Sequence, residues 1–424
     1  MRILLANYRY FLSSGSERYL FNAARALEAR GHEILPFSIR YRKNLPTPSD
    51  KYFVRPLGSA DSIYFREHTS TPSTLLRTLE RLFYSREVER AIGRMAADTA
   101  PDLAYVLNYL RKLSPALLVG LKRAGLPIVV RLSDYAVLCP EGHCSRNSQP
   151  CTLCMRGNLW PSIRYRCVQH SFAVSSLNAL ATWFHRYRRY FDLIDVFVMP
   201  SRFMYDKMRE AGFAESRLRW IPSPVDTAAF RPDPAGQRDS YIAYAGRIHP
   251  TKGLVVVLEA LDLMRRNSPT RRLRFRIAGS GEARHVQALQ RSIRERGLEE
   301  VVEVVGELEG PQLVEFLGRA TLTILPSRMY ENLPNALLES WACGTPVLAS
   351  NLGSLADCVG EHSTAWLFQP GNATDLAERL THFLDHPREI ETAAIRVRTL
   401  AETTYAEEKH VSKLETLFHQ LLSA

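Results

Sequence analysis

The sequence predicts an α/β protein made of two parallel-sheet units in tandem. Three observations predict it. Short β-branched apolar runs alternate with segments of helical periodicity along most of the chain. The series restarts after RWIPSPVDTAAFRPDPAGQRDS, a stretch with four prolines and little periodicity, which is the composition of a linker. At 424 residues, 46% of them hydrophobic, the chain can build two sizeable cores. On this reading residues 1–225 form the first domain, 226–404 the second, and 405–424 a terminal helix.

In the first domain RILLAN reads as a buried strand. The loop YRYFLSSGS leads into ERYLFNAARALEARGHEILPFS, where Leu20, Ala23, Ala24 and Leu27 share a helix face, Gly31 stops the helix and EILPFS is the second strand. The Gly-Ser loop at Gly15 is of the kind that lets backbone amides approach a phosphate. Residues 50–98 are helical and charged, with no recognisable chemistry. DLAYVLNY and PIVVRLSDY follow as parallel strands. The second ends in Ser133-Asp134-Tyr135, where an open α/β sheet places its ligands. Asp134 is therefore a candidate active-site residue, with a helix or turn cap as the plain alternative. DLIDVFVMPS reads as the last strand of this domain.

The second domain opens with the strand YIAYAG, ending at Gly246, followed by Arg247 and then Lys252-Gly253 before a helix. Two cations beside a helix N-terminus can clamp a diphosphate. RLRFRIAGSGEARH repeats the strand-and-glycine theme at Gly279 and Gly281, and VVEVVGELE is a strand turning at Val305-Gly306. TLTIL is the next strand, and NALLESWAC the next helix, with Pro334 near its start and Asn332 as a candidate cap. Glu331 precedes that helix and Glu339 lies on its second turn, slightly more than two turns away, so the two carboxylates can address opposite ends of one elongated ligand. Backbone N–H groups of Asn332 and Leu333 are placed to bind an anion between them. In the terminal helix Val411, Leu414, Leu417 and Phe418 share one face.

The wording ENLPNALLESWACGTPVLAS, with its Glu, seven residues, Glu spacing, resembles the signature of the retaining family 4 glycosyltransferases. GRIHPTKG is similar to that family's donor-phosphate motif, and the opening loop with LEARGHE to its first strand-helix unit. The resemblance implies a GT-B fold, two Rossmann-like domains facing across a cleft. It implies transfer of a sugar from a nucleotide-sugar, UDP-, GDP- or similar, to a glycan or lipid-linked hydroxyl acceptor. In the family pattern Glu331 contacts the donor sugar and supports the transition state, Glu339 binds the ribose, and Arg247 and Lys252 stabilise the leaving diphosphate, so no catalytic metal is expected. Gly15 approaches the diphosphate and acceptor. Gly246, Gly279, Gly281, Asn332 and Leu333 line the donor, Val305 and Gly306 pack on the base, and the terminal helix crosses back onto the first domain. Three positions depart from the pattern: Ser14-Gly15 replaces two glycines, Ser133 replaces a His, and Ser223-Pro224 replaces Asn-Gly. An epimerase of the same fold and a decayed binding scaffold remain as alternatives. A nicotinamide dehydrogenase is disfavoured, because no Gly-x-Gly-x-x-Gly turn follows the first strand.

Residues 1–224 hold 33 basic and 18 acidic side chains, a net +15, against 22 and 26, a net −4, in the remainder. The basic half points to an anionic partner. RGNLWPSIRYR and WFHRYRRYF interleave aromatics with arginines, which suits an anionic membrane surface, single-stranded nucleic acid, or an ordinary helix with its aromatic face buried. Within the resemblance the membrane is favoured and no nucleic acid is expected. No apolar run reaches the roughly 18 residues of a spanning helix, and the N-terminus lacks a signal-peptide pattern, so a cytoplasmic protein peripheral to the inner face of the membrane is expected.

Five of the seven cysteines fall within 139–167. Cys151 and Cys154 have the chelate spacing of a zinc knuckle, and Cys139 and Cys144 would complete a tetrahedral thiolate set for a structural zinc or an iron–sulfur centre. Reduced buried thiols and a redox switch are the other readings.

Overall fold

The computed structural model describes residues 1–424 apart from 14, 60, 62–70, 234–235, 237, 268–272 and 424. The Ser14 departure, part of the 50–98 segment and part of the proline-rich linker lie outside the described residues.

The first series of strands is β1 (Arg2–Ala6), β2 (Glu33–Phe37), β3 (Leu103–Val106), β4 (Ile128–Arg131), a small ribbon of β5 (Ser145–Arg146) and β6 (Gln149–Pro150), then β7 (Val196–Met199) and β8 (Leu218–Trp220). Six of these form one parallel sheet in the order β2-β1-β3-β4-β7-β8. The second series is β9 (Ile242–Ala245), β10 (Phe275–Ala278), β11 (Val302–Gly306), β12 (Leu322–Leu325), β13 (Val347–Ser350) and β14 (Leu367–Phe368), a parallel sheet in the order β11-β10-β9-β12-β13-β14. Helices cover both faces of each sheet, so the inner strands LAYV, IVVR, VFVM, IAYA, LTIL and VLAS are buried at every position. Alternation sorts their side chains: Leu4 and Ala6 join one core, and Ile3 and Leu5 the core on the opposite face.

The helices are α1 (Gly15–Glu28), α2 (Pro72–Phe83), α3 (Arg86–Thr99), α4 (Ala116–Arg123), α5 (Trp160–Arg164), α6 (Phe172–Tyr187) and α7 (Arg202–Glu210) in the first half. The second half has α8 (Leu254–Asn267), α9 (Ala283–Glu295), α10 (Gly310–Gly318), α11 (Asn335–Ala342), α12 (Gly353–Gly360), α13 (Ala373–Asp385), α14 (Pro387–Thr403) and α15 (Glu407–Leu422). Helix α15 lies against α1. Val411, Leu414, Leu417 and Phe418 are buried among Tyr19, Leu20 and Ala23, and burying such side chains contributes about 1.5–3 kcal/mol each. His410 anchors its start, with one ring nitrogen 2.8 Å from the Tyr19 hydroxyl and the other 2.7 Å from the Pro222 carbonyl.

Two expectations need correction. β7 is not the last strand of its sheet: Leu218–Trp220, whose last two residues are assigned by composition to the linker, pairs with β7 as a three-residue edge strand. Only Leu218 of β8 is buried, so the run carries no apolar signature. Helix α11 begins at Asn335 behind Pro334, and Asn332 does not cap it. The Asn332 side chain instead donates to the Ser133 carbonyl of the other sheet's loop.

Candidate active site

The loops at the carboxyl ends of both sheets meet, and most of the residues singled out by the sequence collect there. The loop after β12 carries Glu331, whose Oε1 accepts from Lys252 Nζ at 2.5 Å and from Ser327 Oγ at 2.5 Å. The Lys252 and Glu331 side chains are 21% and 15% exposed, so the pair is shielded but reachable. Burial pushes the Glu331 carboxyl up, while Lys252, Ser327 and Arg247 together pull it further down, leaving it below its ordinary value. Lys252 reaches this point because Gly253 takes a φ of 74° against the Pro326 carbonyl, where a Cβ would fall 1.9 Å from the oxygen. Arg247 is exposed beside the pair, with its carbonyl held by the Tyr244 hydroxyl at 2.9 Å.

Glu339 sits on the second turn of α11, buried. Its Oε1 accepts from Arg18 Nη1 at 2.8 Å, so an arginine on the first turn of α1 crosses the cleft to it. Burial raises the Glu339 carboxyl more than Arg18 lowers it. The two helix starts also touch: a Cβ on Gly15, the first residue of α1, would lie 3.2 Å from the side-chain nitrogen of Asn335, the first residue of α11. Two helix N-termini therefore converge beside the carboxylates, and their dipoles favour an anion between them. Asn332 and Leu333 precede α11, so the amides of its first turn belong to Asn335 and its successors.

On the facing side the Tyr135 hydroxyl donates to the Glu331 carbonyl at 3.3 Å, and Ser354 Oγ donates to the same carbonyl at 2.8 Å. Tyr135, Phe203 and Tyr330 form an aromatic seam across the cleft, the last two with ring centroids 4.7 Å apart. Asp134 Oδ1 accepts the Ala136 N–H at 2.8 Å, the turn-cap arrangement. Among the described residues no hydrogen bond or ion pair joins it to Glu331 or Lys252.

The glycine loops of the second sheet interlock. Gly246 N–H donates to the Ala278 carbonyl at 2.9 Å and Gly279 N–H to the Gly306 carbonyl at 2.6 Å. These two amides are engaged by backbone carbonyls. A Cβ on Gly279 would fall 1.8 Å from the Gly246 oxygen and one on Gly281 2.2 Å from the Ile248 oxygen, so close packing explains both. Val305 and Gly306 are half-buried at the end of β11.

Three residues escaped the sequence reading. Arg18 and Ser327 face the two glutamates, and neither was given a role from the sequence. Arg131, at the end of β4, is 5% exposed, lies 3.6 Å over the Tyr19 ring and donates to Ser133 Oγ at 3.0 Å and Ser223 Oγ at 2.7 Å. An arginine closing the buried run IVVR is the signal that could have found it.

The profile described as Glycosyltransferase Family 4 matches residues 13–229, and that described as Glycosyl transferases group 1 matches residues 226–398. The first alone covers more than half of the chain. The chain belongs to glycosyltransferase family 4. This family 4 chain is 31% identical over 196 residues to a D-inositol 3-phosphate glycosyltransferase of Paenarthrobacter aurescens, covering 44% of this chain and 48% of that protein. It is 27% identical over 221 residues to a putative colanic acid biosynthesis glycosyltransferase of Escherichia coli, covering 50% and 53%. The matched part thus spans about half the length of these curated relatives. Among solved structures it is similar to sucrose-phosphate synthase from Thermosynechococcus elongatus, with a TM-score of 0.72, 18% identity and coverage of 100% and 99%. It is likewise similar to HepE of Anabaena in complex with UDP, with a TM-score of 0.67, 17% identity and coverage of 99% and 100%. Those likenesses establish the GT-B architecture.

Proposed function

We propose that the chain transfers a sugar from a nucleoside diphosphate sugar to a hydroxyl acceptor, with retention at the anomeric carbon. The observation that carries this is the contact of Lys252 with Glu331 at 2.5 Å, beside Arg247 and the converging starts of α1 and α11. A departing diphosphate gathers negative charge, which Lys252, Arg247 and two helix N-termini meet without a divalent cation. The sugar left behind gathers positive charge, which an ionised Glu331 meets. Glu339 is placed to receive ribose hydroxyls at the other end of the donor. The Ser133–Tyr135 loop belongs to the acceptor side, where Asp134 serves through its turn.

The acceptor proposed is a lipid-linked or anionic glycan at a membrane surface. Helix α6 buries Ser175, Ala179, Thr182 and His185 and turns Phe172, Leu180, Trp183 and Tyr187 outward, the reverse of an ordinary surface helix. Trp183 and Tyr187 stack in the open with ring centroids 5.3 Å apart. A cavity of about 980 Å³ at the end of this helix is lined by Arg86, Arg90, Arg123 and Arg188 together with Glu89, which pairs with Arg123, and its excess of positive charge suits a phosphate headgroup. Among the described residues no helix is long and apolar enough to cross a membrane, so the contact would be peripheral.

The test is to incubate the purified chain with UDP-, GDP-, ADP- and dTDP-sugars, with and without a bacterial lipid extract, beginning with UDP-glucose, with which HepE was crystallised. Nucleotide release that requires the extract, is lost in Glu331→Gln, and gives a product with the donor's anomeric configuration by NMR is the expected result. Donor conversion that proceeds equally without acceptor would mean an epimerase or hydrolase, and no nucleotide binding at all would mean a scaffold.

A further inference from the structure

Cys139, Cys144, Cys151, Cys154 and Cys167 line one cavity of about 10 Å³, reached directly from the Ser133–Tyr135 loop. All five are free thiols, and no three of their sulfurs lie within 4.8 Å of one another. The chain around them is built to point sulfur inward. Cys139 opens a tight turn in which Gly142 takes a φ of 97° and its carbonyl accepts the Tyr135 N–H at 2.9 Å, while the Cys139 N–H donates to the Tyr135 carbonyl at 2.8 Å. The β5–β6 ribbon then turns through Asn147 and Ser148, both left-handed at φ 50° and 59°, a two-residue hairpin turn. This sets Cys151 beside Cys144, whose carbonyl accepts the Cys151 N–H at 2.7 Å. Cys154 follows at chelate spacing. Helix α5 leads back to Cys167, whose N–H donates to the Ser162 carbonyl at 3.0 Å.

Burial chooses among them. Cys144 is 1% exposed and packs into the apolar core of the first sheet, while Cys151 and Cys167 are only half-buried where they line the cavity. Two guanidinium groups flank the loop: Arg111 donates to the carbonyls of Cys139, Pro140 and Glu141, and Arg186 to those of Val137 and Leu138. Neither is ion-paired with a carboxylate among the described residues, so both are free to balance the negative charge of a thiolate set. The cavity has the size of about one water-sized sphere, which suits a single ion rather than a cluster of several irons and sulfides.

We propose that Cys139, Cys151, Cys154 and Cys167 bind one Zn²⁺ in a structural tetrathiolate centre, with Cys144 packed in the apolar core outside the ligand set. The sequence-based quartet is thereby changed by one member, Cys167 for Cys144. Binding draws the sulfurs inward until each stands about 2.3 Å from the metal. The centre braces the turn carrying Tyr135, which reaches across to the Glu331 carbonyl, and roots α5 to the core. It stands independently of the catalytic reading.

The test uses the full chain without a histidine tag, loaded with zinc, desalted and assayed by elemental mass spectrometry. About one zinc per chain is expected in the wild type, as for a closed four-ligand site. Cys144→Ser should keep that zinc, while Cys154→Ser and Cys167→Ser should lose most of it. The exposed group His382, His386 and Glu389, whose ligand atoms lie within 4.8 Å of one another, has a spacing that could take up zinc adventitiously, so the double variant His382→Ala/His386→Ala serves as control and should keep its zinc. Because serine variants can misfold, the wild type is also titrated with an organomercurial. Release of zinc only as about four thiols react, and a cobalt-substituted protein with sulfur-to-metal charge transfer and intense tetrahedral bands, support the proposal. A zinc-loaded wild type that retains no metal overturns it. So does iron with sulfide in place of zinc, or a Cys144→Ser variant as depleted as Cys154→Ser.

Discussion

Arg18 Nη1 stands 2.8 Å from Glu339 Oε1, tying the first turn of α1 to the second turn of α11 across the cleft. The carboxylate proposed to receive a ribose is thus already engaged by the opposite domain, and a nucleotide must share it or displace the arginine. Glu339→Gln keeps the shape but accepts hydroxyls more weakly. It should lose about tenfold in nucleoside diphosphate affinity by calorimetry, which is about 1.4 kcal/mol.

The same contact sets a dependence on pH. The Glu339 carboxyl is raised in the folded chain, so its contribution to stability is fullest below its ordinary value of 4.5 and is lost as pH rises through the higher folded value. Arg18 opposes that loss. Arg18→Gln should therefore lower the thermal midpoint more at pH 8 than at pH 5, and an equal drop at both would contradict the assignment. The effect will be modest, because Arg18 is 46% exposed and solvent screens the pair.

Glu331 behaves in the opposite sense. Its carboxyl is lowered, so its stabilising contribution is present above its ordinary value of 4.5 and fades as pH falls through the folded one. Lys252→Met leaves the carboxylate half-buried without its cation. The acid limb of kcat/KM should move to higher pH, and kcat should fall by about 10²–10³, the usual cost of losing one preorganised charge contact. A lowered kcat with an unmoved acid limb would separate Lys252 from Glu331 functionally.

Fold and site were legible to different degrees for physical reasons. Strands buried on both faces, such as LTIL and VLAS, announce themselves as continuous apolar runs. The edge strand β8 does not, because one buried Leu218 is no pattern. Glu331, Glu339, Lys252 and Arg247 were singled out because they fall in two contiguous stretches of one domain, GRIHPTKG and ENLPNALLES, that resemble family motifs. Arg18 was not, since it meets Glu339 from 321 positions away and only the docking of two sheets brings them together. Asn332 read as a cap from local chemistry, and a contact with Ser133 in the other domain took its side chain instead. Cys167 lay outside the knuckle spacing and joins the thiol cavity only when α5 turns back.

Backbone packing behind the cations gives a further prediction. Gly253 and Gly279 each leave a carbonyl where a Cβ would stand, at 1.9 Å and 1.8 Å. Gly253→Ala has to displace the Pro326 carbonyl and with it the Ser327–Glu331 loop. It should reduce kcat by about tenfold or more through misplacement of Lys252 and Glu331, although it touches no substrate. Gly371→Ala, at φ 77° with nothing within 4 Å, controls for backbone strain alone and should cost stability while leaving kcat unchanged.

The outward face of α6 is tested by lipid. An aromatic stripe in the open costs the isolated chain solubility and is stabilised where one side is apolar and the other wet. Trp183 and Tyr187 are 53% and 70% exposed, and the surrounding half of the chain carries the positive excess. The chain should cosediment with vesicles of phosphatidylglycerol and phosphatidylcholine, and much less with phosphatidylcholine alone. Raising the salt to 0.5 M should weaken binding severalfold, because the Debye length shrinks from about 10 Å at 0.1 M. Trp183→Ala/Tyr187→Ala should reduce binding at low salt without moving the thermal midpoint, since neither ring is part of the core. Cosedimentation that ignores both salt and headgroup charge would refute the anionic surface, and a double variant that binds as the wild type does would move the contact away from α6.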